Sequence, residues 1–276
     1  MINAVGNRMT REIARQSKLS DQLDRIQTQI SGGKKLLRAS DDPVASRRIA
    51  TIGKAQASTT TWAANVKTAS AQVSQADTAL GSVSNLLTRA RELTLSAANA
   101  TTNPADRASI AAELSAIADE IDGFAATRDS NGEPLFAASN AKQVRFDADI
   151  SFAPVPSAST AFVVGGNSLS TGLRDAVGAI TAGDSAAIGT ALTSLTSAIS
   201  HVADQRAAMG LSAGRLERIG DSLEARGISL SDEWSAVEDT DLSVAIAELN
   251  AQKLTLDAAQ AAFARINRQT LLDILS

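Results

Sequence analysis

Apolar residues recur at three- and four-residue intervals along most of this chain, the spacing that places side chains on one face of an α-helix. Leu242, Leu249, Leu256 and Phe263 stand seven apart, in a C-terminal segment with no proline or glycine after Gly227. At the other extremity an apolar stripe runs from Ile2 to Ile30, with Leu19, Leu23, Ile26 and Ile30 in 4-3-4 order. Ser31-Gly32-Gly33 reads as the stop of that helix, glycine supplying the left-handed turn. Both ends of the chain are therefore expected to be buried against other helices.

Ser40-Asp41-Asp42-Pro43 reads as the next helix start, with Asp42 capping and Pro43 in the first turn. From Pro43 one helix is predicted to about Asn99, because Val66, Ala69, Val73, Ala76, Leu80, Val83, Leu87 and Ala90 alternate at three and four without a slip. Such a rod would be roughly 80 Å long. It needs partners along its length, as in a coiled coil. Asn103-Pro104 opens a further helix with Ile110, Leu114, Ile117, Ile121 and Phe124 as its stripe, and the short connection makes the two helices antiparallel neighbours.

The period then changes. After the turn signal Asp129-Ser130-Asn131-Gly132, the residues Val144, Phe146, Ala148, Ile150 and Phe152 alternate with polar ones, which predicts a single strand. Phe162-Val163-Val164 before Gly165-Gly166 suggests another, so 130–172 reads as a small β-rich insert. Helix is expected to resume near Asp184, with Ile188, Leu192, Leu195, Ile199 and Val202, then Met209, Leu216 and Leu223. Gly210, Gly214 and Gly220 each weaken that helix by about 1 kcal/mol relative to alanine. They mark either close helix approach or a softer stretch. Gly227 reads as its end and Asp232 as the cap of the last helix, which runs to Leu275.

The fold class is thus mainly α: an elongated antiparallel helical coiled-coil bundle formed by the N- and C-terminal halves, with a small β-rich insert at its distal end. The expected layers are 1–42 with 232–276 as a terminal assembly domain, 43–129 with 173–231 as a core helical bundle, and 130–172 as the outer insert. Core packing falls to Val66, Val73, Leu80, Leu87, Ile110, Leu114, Ile117 and Ile121.

Composition narrows the function. Hydrophobic residues at 44% suffice for a core, and aromatics at only 3% beside abundant alanine fit closely packed helices. A net charge of −4 gives no general attraction for nucleic acid. Lys34, Lys35, Arg38, Arg47 and Arg48 cluster, either as a solvated helix junction or as a docking surface for a neighbouring subunit. The sequence contains no cysteine, which excludes disulfide and thiolate chemistry and suits a chain threaded unfolded through a channel. No run of about 18 apolar residues is present, so no membrane insertion is expected. Met1-Ile2-Asn3-Ala4 lacks the pattern of a secretory signal.

Little reactive chemistry is visible. His201 is the only imidazole, beside Ile199 and Val202, and has no second histidine or thiolate with which to share a metal. Asp41-Asp42 and Glu238-Asp239-Thr240-Asp241 are the acidic clusters expected at helix N-termini. Gly32-Gly33-Lys34 lacks the strand and spaced glycine of a phosphate loop, and Asn99-Ala100-Thr101 is only a short sequon match. Trp62 and Trp234 are too isolated to stack bases and read as packing residues, Trp62 alternatively as an interface anchor. No catalytic, cofactor-binding or metal-binding residue is assigned, and the chain is not expected to be an enzyme.

Several segments resemble, in order, the bacterial flagellin-like axial proteins. ISGGKKLLRASDDPVASRR (30–48) is similar to their junction between terminal and core helices, its SDDPVA in the form typical of the hook–filament junction branch. RELTLSAANATTNPADRASI (91–110) resembles the turn between the two core helices, and NGEPLFAAS (131–139) the entry to the outer domain of junction proteins. EDTDLSVAIAEL (238–249) resembles the acidic entry to the last helix, and RINRQTLLDILS (265–276) the tail of junction proteins.

That resemblance implies an extracellular structural subunit of the bacterial flagellum, exported through the type III channel without a cleavable signal. Its implied partners are the hook-side junction protein, flagellin, a ring of like subunits and an export chaperone. The terminal helices would form the inner tube, through Leu19, Leu23, Ile26 and Ile30 and through Leu242, Leu249, Leu256 and Phe263. Filament flagellin and a flagellin-like cell-surface binding protein are the alternative roles. Ordering each end costs about 1–2 kcal/mol per residue of backbone entropy, more than a lone apolar stripe recovers. The ends are therefore expected to be mobile in the free monomer and to fold as neighbours cover them.

Overall fold

The computed structural model describes residues 2–99 and 103–275, and the side chains of 9–99 and 103–265. The fold is mainly α. The described residues form seven helices, α1 (Ile2–Gly32), α2 (Pro43–Ala97), α3 (Pro104–Ala125), α4 (Ala158–Ala161), α5 (Leu169–Ala182), α6 (Ser185–Glu238) and α7 (Leu242–Leu275). Four two-residue strands, β1 (Val144–Arg145), β2 (Ser151–Phe152), β3 (Val163–Val164) and β4 (Asn167–Ser168), form two antiparallel hairpins. The chain divides into two compact units, Met1–Ala57 with Ile228–Ser276, and Ser58–Gly227.

In the Ser58–Gly227 unit the predicted stripe of α2 is the seam. Val66, Ala69, Val73, Ala76, Leu80, Val83, Leu87 and Ala90 are all buried. Leu114, Ile117 and Ile121 of α3 are buried with them, and Ile110 packs at the edge. Fully burying a leucine or isoleucine is worth about 1.5–3 kcal/mol, so this layer dominates the unit's stability. Alanine at 69, 76 and 90 keeps the backbones close.

Ion pairs set the register from outside the seam. Arg89 meets Glu113 at 3.0 Å, and Gln75 donates to the Arg128 carbonyl at 3.0 Å, which makes α2 and α3 antiparallel. Arg206 of α6 meets Asp77 at 2.9 Å, and Arg174 of α5 meets Asp119 and Asp122 of α3 at 2.9 and 2.7 Å. Asn103 caps α3 by accepting from the Asp106 N–H at 2.8 Å.

Four expectations change. The alternation over 144–152 is not one strand but a hairpin, Val144 pairing with Phe152 and Arg145 with Ser151. Asp147-Ala148-Asp149 makes the reversal, Asp147 accepting the Ala148 N–H at 2.7 Å. Both arms turn aromatic faces inward, Phe146 and Phe152 lying 4.7 Å apart, so a hairpin reproduces the period of a strand. Secondly, α5 begins well before Asp184. Ser168 caps it at the Thr171 N–H, and Leu169, Leu173, Ala176 and Ile180 are buried at helical spacing.

Thirdly, α6 does not end at Gly227, and Asp232 lies inside it. Gly227 is not among the glycines with positive φ, so it costs helix stability without supplying a stop. The last helix starts nine residues later than expected, with Asp241 in place of Asp232 as its cap, accepting from Ser243 and Val244 at 2.9 and 3.2 Å. Fourthly, α6 alone among the described helices is by length and composition apolar enough to cross a membrane, through an 18-residue window of mean hydropathy 1.2. Its Ile188, Leu195 and Val202 are nevertheless buried in the protein core, and serine and threonine occupy much of the remaining surface.

Other readings agree with the structure. The Gly165-Gly166 turn between β3 and β4 has φ of +60° and +87°, as a two-residue primed hairpin turn requires. A Cβ on Gly220 would touch Val66 at 3.6 Å, whereas Gly210 faces open space, so only Gly220 marks a close approach. His201 Nε2 bonds the Thr160 carbonyl at 2.8 Å and ties α4 to α6. Trp62 is half-buried, with the Arg226 guanidinium 5.7 Å from its ring centre. Ala100 and Thr101 of the sequon lie outside the described residues.

Candidate assembly surface

The Met1–Ala57 with Ile228–Ser276 unit holds the residues that the sequence marks for assembly. Gly33, at φ +66°, ends α1 and turns the chain into the connector 34–42. That connector lies antiparallel to the connector 239–241. The Lys35 N–H donates to the Glu238 carbonyl at 2.7 Å, and the Thr240 N–H donates to the Gly33 carbonyl at 2.9 Å. Lys34 Nζ donates to Glu238 Oε1 at 2.9 Å, and Trp234 Nε1 donates to Glu238 Oε2.

These contacts shift both groups. Glu238 holds the Lys34 ammonium above its ordinary value. Lys34 first and the Trp234 N–H second hold the Glu238 carboxyl below its own. Arg48 pairs with Glu233 at 2.9 Å, and Arg25 with Asp41 at 3.0 Å. Asp42 caps α2 as expected, accepting from Val44 and Ala45 at 2.9 Å each, and those N–H groups lower its pKa. A Cβ on Gly53 would lie 3.3 Å from Trp234 Cζ3, so glycine is what lets the indole approach α2 this closely.

Beyond the connectors α1 and α7 pack antiparallel. Near the connectors Ile26 and Ala245 line one groove of about 660 Å³, and Gln22 and Gln252 line it further along. The α1 seam is Glu12, Gln16, Leu19, Leu23, Ile26 and Ile30; Leu23 and Ile26 are buried and the others partly so. The α7 seam is Ala245, Leu249, Gln252, Leu256, Ala259 and Phe263, with Ala245 buried and the rest partly so.

Leu249, Leu256 and Phe263 thus share a face with the α1 stripe, whereas Leu242, the first residue of α7, is 50% exposed. Ala245, Gln252 and Ala259 were missed by sequence reasoning. Their signal was the three-four alternation between the seven-spaced leucines, hidden because small and polar residues occupy the intermediate positions. Val244, at 61% exposure, and Leu254, at 71%, face away from the seam. The side chains of Ile2 and of 266–276 lie outside the described set.

Comparison with known proteins places this architecture. The bacterial flagellin N-terminal helical region matches residues 3–141, and the bacterial flagellin C-terminal helical region matches residues 192–275. The chain belongs to the bacterial flagellin family. Among solved structures, a Vibrio parahaemolyticus protein assigned to the flagellar hook-associated proteins superposes with TM-score 0.66 at 17% identity, over 72% of this chain and 100% of that one. Xanthomonas campestris FlgL superposes with TM-score 0.61 at 15% identity, over 67% and 99%. The flagellar junction protein FlgL of Legionella pneumophila does so with TM-score 0.52 at 14% identity, over 71% and 100%. No curated protein sequence matches the chain. At these identities the superpositions establish a shared fold.

The two flagellin regions meet in the connector pair. Residues 34–42 belong to the N-terminal region and 239–241 to the C-terminal one. The Lys34–Glu238 pair therefore joins the two halves of the family's helical frame.

Proposed function

We propose that this chain is a hook–filament junction subunit of the bacterial flagellum, linking the hook-side junction protein to flagellin through its terminal helices. The observation that carries this reading is the α1–α7 pair, which closes one seam and leaves Val244 and Leu254 on a second, uncovered apolar face of α7. A surface helix of an isolated protein has one apolar stripe; a helix between two neighbours has two. The junction-type segments at 30–48, 131–139 and 265–276 favour this branch over filament flagellin.

In this reading 1–42 with 232–276 form the terminal assembly layer, 43–129 with 173–231 the core bundle, and 130–172 the outer insert. Leu242, Leu249, Leu256 and Phe263, with Leu19, Leu23, Ile26 and Ile30, order the layer that contacts other subunits. The role is structural rather than catalytic. The chain works outside the cell, in a ring of like subunits, after type III export with a chaperone. Deletion of the gene should leave hooks without filaments and release flagellin into the medium. Purified chain that grew long filaments from flagellin seeds would instead make it a filament subunit.

A further inference from the structure

The outer faces of α2 and α6, in the Met1–Ala57 with Ile228–Ser276 unit, carry opposite charges that the subunit leaves unused. Within that unit α2 turns Ile49, Ile52 and Gly53 inward, and α6 turns Leu230, Trp234 and Val237 inward. Gly53 receives Trp234, and Arg48 pairs with Glu233 at the flank. The two helices are back to back.

By helical periodicity the far side of α2 then presents Val44, Arg47, Thr51 and Lys54, all exposed, with Val44 at 69%. The far side of α6 presents Ile228, at 59% exposure, and Asp232, also exposed. Arg47, Lys54 and Asp232 form no ion pair among the described residues. Val44 is thus accompanied on its face by Arg47 and Lys54, and Ile228 by Asp232, of opposite sign.

We propose that these faces are the two halves of one heterologous interface: the Val44–Arg47–Lys54 face of one copy docks on the Ile228–Asp232 face of the next. Because the halves lie on opposite sides of a helix pair, the contact is head-to-tail and propagates from copy to copy, as in a ring or a helical run. Opposite charges select the correct face and oppose pairing of like faces. This rests on the reading that the chain polymerises in the flagellum. It adds which surfaces meet, and it assigns the partner as a second copy of this chain.

The full chain is tested in a deletion strain, with wild type in parallel; retention of wild type on washed flagella tests the flagellar reading by itself. Arg47→Glu with Lys54→Glu, and separately Asp232→Lys, should lower retention roughly tenfold or more and shift the chain to the medium. The chain carrying all three changes has exchanged signs and should recover retention. Wild-type retention of either variant, or no recovery in the combined variant, overturns the proposal. The absence of cysteine permits a second readout. A chain carrying Arg47→Cys and Asp232→Cys, treated with a short bis-maleimide on isolated flagella, should give a ladder of its own multiples. Cross-linking to a chain of different mass, or none, rejects a second copy as the occupant.

Discussion

Lys34 Nζ lies 2.9 Å from Glu238 Oε1, joining the residue after the α1 turn to the last residue of α6 across 204 positions of sequence. Glu238 also accepts from Trp234 Nε1, and Trp234 packs on Gly53 of α2. One carboxylate therefore holds the connector, α2 and α6 together.

The signs of the two pKa shifts define a window for this contact. Glu238 is lowered from 4.5, so its contribution is present above that value and is lost as pH falls through the lower folded value. Lys34 is raised from 10.5, so its contribution is present below that value and is lost as pH rises through the higher folded one. Tryptophan fluorescence of a Trp62→Phe chain reports Trp234 alone. It should stay constant between these limits and change on acidification below 4.5. Glu238→Gln should remove the acid-side change; an unaltered acid transition in that variant would separate it from Glu238.

Buried and exposed leucines of the two units should behave in opposite ways. Leu80 is fully buried, and Leu80→Ala should cost about 2–5 kcal/mol in chemical denaturation. Leu254 is 71% exposed on the second face of α7. Leu254→Glu should leave denaturation within about 0.5 kcal/mol of wild type. If that face contacts other subunits, the same change should release the chain from flagella into the medium. A stability loss at Leu254 as large as that at Leu80 would place it in a closed core instead.

The contrast between those leucines also explains what the sequence could reveal. Val66 to Ala90 was legible because eight consecutive seam positions keep one period, and a period that long has one physical interpretation. Phe146 and Phe152 alternate whether they lie on one strand or on two arms of a hairpin, so the pattern could not separate the two. Gly227 resembled a helix stop because composition does not reveal φ, whereas Gly33 after α1 and Gly183 after α5 do take the left-handed turn that ends a helix. In the assembly surface, the large apolar seam positions such as Leu23, Ile26 and Leu249 could be read, whereas Ala245, Ala259 and Glu238 could not. The role of Glu238 comes from Lys34 and Trp234, which only the folded connectors bring to it.

Local caps can be tested one at a time. Asn103 accepts the Asp106 N–H at 2.8 Å at the start of α3, and Pro104 occupies the first turn. Asn103→Ala leaves that N–H unpaired and should cost about 1 kcal/mol, whereas Asn103→Asp should be nearly neutral. Thermal unfolding measures both. Equal loss in the two variants would point to backbone strain rather than a lost cap.

The α1–α7 pair should be the first part of the free chain to open. Its seam is apolar near the connectors, at Leu23, Ile26 and Leu249, and becomes mixed farther out, where Glu12 and Gln16 replace aliphatic residues. Gln16 Nε2 is buried without a hydrogen-bond partner among the described residues, a desolvation cost that weakens that end. In the Ser58–Gly227 unit, by contrast, Leu80, Leu87, Leu114 and Leu216 are fully buried. Stability that varies in this way along one chain gives local opening before global unfolding. Limited trypsin treatment of the monomer should therefore cut at Arg11, Arg15 and Arg265 before any site between 58 and 227, and assembled chain should resist at all three. Gln16→Leu fills the polar gap in the seam and should slow cleavage at Arg11 and Arg15 in the monomer. Unchanged cleavage in that variant would show that opening does not start from the outer seam.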